Sequence, residues 1–146
     1  MTRLHFTSDD EVAEIADGVI ARTLPKARWT HAAHVAAAAW LVMRRPDIAP
    51  ERDMPGLIRA YNEAVGGVNS DTEGYHETIT QASLRAVRAG IASLPPETAV
   101  HAAVQALLDG GLDRSDWLLA YWSRAVLFSV EARRGWVEPD LKPLPF

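Results

Sequence analysis

Apolar residues return along this chain every three or four positions, and nowhere do they alternate with polar ones over a useful length. A repeat near 3.6 belongs to the α-helix, a repeat of two to the strand. Val12, Ile15, Ala16, Val19 and Ile20 carry the helical spacing first. "HAAHVAAAAWLVMRR" follows, rich in alanine, the residue with the highest helix propensity. Prolines and glycines cut the pattern into helix-sized segments. The expected fold is all-α, an irregular or orthogonal bundle of five or six helices with short loops.

The segments carry their own start and stop signals. "SDDEVAEIADGVIART" opens on Ser8 as a cap, and Glu11 three residues later completes a capping box; Pro25 closes it. The second helix starts after Thr30 and ends on Arg44 and Arg45, which suit the negative end of the helix dipole, before Pro46. "MPGLIRAYNEAV" reads as a third helix, with Asp53 as its cap, Pro55 in its first turn and Gly66-Gly67 at its end. A fourth is expected from Gly74 or His76 to Ala92, a fifth over "PETAVHAAVQALLD", and a sixth over "DWLLAYWSRAVLF" from Asp113 or Ser115. The closing "GWVEPDLKPLPF", residues 135–146, has three prolines and no helical period, so it is expected to lie extended over the bundle. A length of 146 residues fits one domain with a real core.

Composition removes several function classes. A net charge of -4, with basic residues in pairs rather than a stripe, gives no electrostatic reason to bind nucleic acid. The chain has no cysteine, which excludes disulfides, thiolate zinc sites, iron–sulfur clusters and cysteine nucleophiles. "MTRLHFTSDDEVAE" turns acidic too soon for a signal peptide. The longest uncharged run, "WTHAAHVAAAAWLVM", has 15 residues, too few to cross a membrane. The expectation is a cytoplasmic, bacterial-type protein without a nucleic-acid or membrane partner.

Two stretches concentrate the polar chemistry, "WTHAAH" at 29–34 and "EGYHETIT" at 73–80. His31 and His34 stand three apart on one helix face, and Glu73 and His76 have the same spacing. On a first reading the two pairs converge across one cavity. Three imidazoles and a carboxylate from His31, His34, His76 and Glu73 would suit zinc, iron or another first-row divalent metal. Glu77 or Glu73 would then act as general base beside His76, and His31, His34, Tyr75 and Asn62 would line the ligand pocket. The protein would be a metal-dependent enzyme acting on a small molecule.

On a second reading the histidines are structural, in a non-catalytic ligand-binding or interaction protein. Histidine pairs at this spacing are frequent by chance, and Gly74 weakens the helix where the Glu73/His76 argument needs it. "HETIT" is not the zincin HExxH, because Thr80 stands where the second histidine belongs. The five tryptophans read first as packing anchors, one or two of them as pocket walls.

The combination of "RWTHAAH", "YNEAVGG", "GYHETIT" and the ending "GWVEPDLKPLPF" resembles a family of uncharacterised bacterial proteins of about this length, over nearly the whole chain. That family has no established activity, so the resemblance carries over no catalytic role. It implies only that His31, His34 and His76 act together.

Overall fold

The computed structural model describes residues 4–146. It is all-helical, with no strand among the described residues. Among the described residues seven α-helices follow one another: α1 Asp9–Ile20, α2 His31–Arg44, α3 Pro50–Ala64, α4 Glu77–Ala92, α5 Val100–Leu107, α6 Arg124–Leu127 and α7 Val130–Arg134. A 3-10 turn at Lys26–Arg28 precedes α2, a π turn at Leu108–Leu112 extends α5, and a second 3-10 turn spans Trp117–Ala120. No helix among the described residues is long and apolar enough to cross a membrane.

The alanine run explains why α2 lies at the centre. Ala33, Ala36, Ala37, Ala38 and Ala39 are all buried, and their small side chains let α1, α4 and α5 approach on different sides. Gly90 of α4 does the same against α5. A Cβ there would lie 2.2 Å from Leu107 Cδ2, so a larger residue would make the Leu107 side chain shift. A second, smaller cluster of Ala82, Leu118, Trp122 and Leu127 ties α4 to the C-terminal elements.

Four expected elements differ in the structure, the fifth helix because it begins at Val100 instead of Pro96 and passes into the π turn Leu108–Leu112. The third helix begins earlier, with Pro50 in its first turn, and Asp53 reaches back to accept from the Ala49 N–H at 3.0 Å. Pro55 therefore falls inside α3, where it has no N–H to offer the Glu51 carbonyl four residues back. Gln81 of α4 donates to that carbonyl at 2.9 Å. The bond a proline removes from one helix is thus made from the next.

The expected sixth helix is broken into the Trp117–Ala120 turn and α6, and α7 follows beyond its expected end at Phe128. Ser123 Oγ accepts from the Val126 N–H and Ser129 Oγ from the Ala132 N–H, so each serine starts a new short helix. The fourth helix starts at Glu77, leaving Glu73 and Gly74 in the preceding loop.

The tail is extended and held at defined points. Trp136 meets Trp122 edge-on with ring centroids 5.7 Å apart, and the Arg85 guanidinium sits 4.2 Å over the Trp136 ring. Thr78 Oγ1 donates to Gly135 O at 2.7 Å and accepts from Val137 N at 3.1 Å. Leu144 packs against the smaller cluster, whereas Leu141 and Phe146 remain largely exposed. Apolar character alone did not decide which tail residues are buried; the prolines and the Leu141 N–H bond to Tyr121 O fix the path.

Candidate functional site

Two adjoining chambers open between the start of α2, α3 and the start of α4. The outer one, about 420 Å³, is bounded by Lys26, Trp29, Tyr61, Asn62, the 67–76 loop and the first turn of α4. The inner one, about 290 Å³ and less open, lies among α2, α3 and α4 and is closed by Leu112, Ser115, Trp117 and Leu118. Its walls are chiefly apolar: Val35, Ala38, Met54, Leu84 and Val87. His34, Ile58, Ile79 and Thr80 line both chambers, so these four mark their boundary.

His34 is held at that boundary by aromatic stacking. Its ring lies against Trp29 with centroids 3.8 Å apart and planes inclined by 25°. Trp29 is braced edge-on by Tyr61, whose hydroxyl donates to Leu24 O at 2.8 Å. No hydrogen bond from the His34 ring to another described residue is formed, so its nitrogens are left to the cavity. His34 is exposed to solvent at that boundary; desolvation by the protein around it, helped by the neighbouring His31, lowers its pKa to about 4. The imidazole is neutral at pH 7.

This has a consequence for acid stability. In the unfolded chain His34 takes a proton near its ordinary pKa of about 6.5. In the folded protein it resists protonation until about pH 4. Between these values the unfolded state binds more protons, so stability falls as pH drops through the window and levels out below it. Above the window neither state is protonated and the contribution vanishes. An NMR titration of the His34 ring should show a midpoint well below 6.5, and His34→Gln should flatten the acid-side decline in melting temperature. A midpoint at or above 6.5 would contradict this.

The other two histidines are committed to the protein. His31 Nε2 lies 2.6 Å from Leu112 O, which makes that nitrogen the donor and ties α2 to the segment closing the inner chamber. His76 uses both nitrogens: Nδ1 accepts from the Ile79 N–H at 3.1 Å, and Nε2 donates to Leu127 O at 2.7 Å. It is the N-cap of α4 and the link from α4 to α6, with burial, and more weakly Arg133, pulling its pKa down. A histidine in the capping role is outside the usual Ser, Thr, Asp and Asn set, so the sequence offered no ready signal for it.

The expected convergence of three histidines therefore resolves differently. His34 reaches both chambers, His31 lines only the inner and His76 only the outer. Glu73 stands exposed at the outer mouth, because the helix starts after it. Among the described residues no three His, Asp or Glu side chains come together as a metal-holding group. The ligand set His31, His34, His76 and Glu73 is not assembled: His76 has no nitrogen left, and its i, i+3 relation to Glu73 is lost.

Glu77 is also engaged. Its Oε1 accepts from the Tyr75 hydroxyl at 2.5 Å, and the side chain is not part of either chamber's wall. Tyr75 is buried, which with the Glu77 bond raises its pKa, and Arg59 lies 4.7 Å over its ring. Asn62 does line the outer chamber, with its Nδ2 donating to Asn69 Oδ1 at 3.0 Å.

The loop carrying these residues is fixed from two sides. Asn69 Oδ1 also accepts from Tyr75 N, while its Nδ2 donates to Arg59 O and Glu63 Oε2, each at 3.0 Å. From α7, Arg133 donates to Gly74 O at 2.9 Å and Arg134 pairs bidentately with Asp71 at 2.8 and 2.7 Å. Gly74 allows this closure: its φ is +84°, and a Cβ would lie 2.2 Å from Val68 O. The Arg133-Arg134 pair, unassigned in the sequence, is thus a clamp on the site loop.

Fold and site together define an all-α protein with a two-chambered cavity and one unpartnered histidine between the chambers. No protein-family model, no curated protein and no solved structure matches the chain.

Proposed function

We propose that this protein binds a small organic molecule in the paired chambers, with His34 as the polar group that meets it. The observation that carries the reading is the His34 ring itself. Every other histidine near the cavity has a protein partner, whereas His34 is stacked, oriented and left with its nitrogens facing open volume. Concave, mostly apolar sites with few placed polar groups are the usual form of small-molecule pockets.

A neutral imidazole in such a place also suits proton abstraction from a bound substrate. That supports an enzymatic version of the same reading, with His34 rather than Glu77 or His76 as the general base. A metal is not needed for either version.

A thermal-shift screen of small organic molecules tests the reading. A ligand of the native state raises the melting temperature by mass action. Hits should lose most of their shift in His34→Ala and in Ala38→Leu, which narrows the inner chamber. Hits indifferent to both variants would place binding elsewhere and overturn the proposal. A hit converted to product by wild type, with conversion lost in His34→Ala, would select the enzymatic version.

A further inference from the structure

The walls of the inner chamber, on the small-molecule reading above, narrow the class of ligand. Val35, Met54, Leu84, Val87 and Leu118 are all buried and all face it. Among the described residues no aspartate, glutamate, lysine or arginine lines it. Its polar groups besides the two histidines are the hydroxyls of Thr80, Ser83 and Ser115, and Ser115 stands exposed at the rim. His31 is turned to Leu112 O. An ionised group pushed inside would give up its water with no opposite charge to meet it, which is costly.

The chamber also has a direction. His34 on α2 and Thr80 on α4 border the outer chamber, whereas Ala38, Ser83 and Val87 line the inner one alone. Ala38 lies one turn beyond His34, and Ser83 and Val87 lie one and two turns beyond Thr80. From Thr80 to Val87 the helix advances about 10 Å, the reach of an extended chain of roughly eight carbons. Midway along this path both helices carry small residues, Ala38 and Ser83. Larger side chains there would fill the space to the density usual for a protein interior.

Volume gives the same size. An apolar cavity of about 150 Å³ takes one benzene, so about 290 Å³ takes an apolar body of roughly ten to twelve non-hydrogen atoms. Met54 on the wall adds tolerance of shape, since its thioether chain is unbranched and flexible.

We infer that the ligand inserts an uncharged hydrocarbon body of about ten non-hydrogen atoms between α2 and α4, and leaves its polar end at His34. The site selects the length of that body, not the charge of the polar end. A neutral imidazole offers one N–H donor and one acceptor nitrogen, so it can meet a donor or an acceptor. Lys26 and Glu73, both exposed at the outer mouth, oppose each other in sign.

The 1-alkanols from butanol to dodecanol measure the chamber, with titration calorimetry giving affinity and stoichiometry for each. Binding should be one to one and tighten about fourfold per methylene, the value for burying one CH₂, as far as about nine carbons. Beyond that length the gain per carbon should fall away. Triethylene glycol has the same atom count as nonanol without its apolar surface, and should bind at least roughly a hundredfold more weakly. In Ala38→Leu the break should move about three carbons shorter, because leucine brings its own carbons into a space of fixed size. Ser83→Leu makes the same test from α4 if the first variant melts early. Affinity that ignores chain length, gains that continue undiminished to dodecanol, or glycol binding as tight as nonanol would each overturn the inference. So would a break that stays in place in both leucine variants, or no alkanol binding at all. A ladder of unchanged strength in His34→Ala would sustain this inference and overturn the role proposed for His34. Screening hits lost in His34→Ala, beside alkanols that show no ladder, would do the reverse.

Discussion

Replacing Trp122 with alanine should destabilise the protein by about 3–5 kcal/mol, the range for removing a buried large aromatic. Trp122 has no exposed surface. It packs with Ala82, Leu118 and Leu127, meets Trp136 edge-on, and donates from Nε1 to Val137 O at 2.9 Å. The substitution opens a cavity, removes an aromatic pair and leaves the tail carbonyl without its donor. Truncation after Arg134 removes the other side of the same contacts, so the two changes should be strongly non-additive. Denaturant unfolding of wild type, Trp122→Ala, the truncation and the combination measures this. A loss below about 1 kcal/mol for Trp122→Ala, or simple additivity with the truncation, would mean that the tail is not fastened through this residue.

The His76→Ala variant should lose about 2–4 kcal/mol. The loss of a helix N-cap costs about 0.5–2 kcal/mol, and leaving a buried acceptor unsatisfied costs about 1–3 kcal/mol. Both occur at once, since the ring caps α4 through Nδ1 and bonds Leu127 O through Nε2. His76→Asn separates the two roles, because asparagine is a good N-cap but cannot span the ring's two bonds. Its stability should fall between wild type and alanine. Melting curves and chemical denaturation give the order. A His76→Ala protein as stable as wild type would show that neither bond matters, and would return His76 to the list of side chains free for chemistry.

Local sequence signals placed most helices well. Ser8, Thr30, Pro46 and Gly66 act through bonds and torsions within a few residues of themselves, so their effect is visible without the rest of the fold. The same locality explains the errors. Ser123 restarts a helix inside an apolar periodic run, where Trp122 and Leu127 pack in the smaller cluster, and Ser129 starts another just past that run. Pro55 looked like a first-turn residue because nothing nearby reveals that Gln81, on another helix, takes over its missing bond.

The sequence by itself determined the helical class, the alanine-built centre, the extended tail and the two polar stretches that border the cavity. Those follow from periodicity, propensity and short-range capping, which a chain carries before it folds. The tertiary structure alone decided which histidine faces open volume. His31 and His76 find carbonyls at Leu112 and Leu127, 81 and 51 residues away, and His34 finds Trp29 instead of a polar partner. Imidazoles of identical chemistry were given different roles by partners distant in sequence, and no spacing rule along a single helix contains that information.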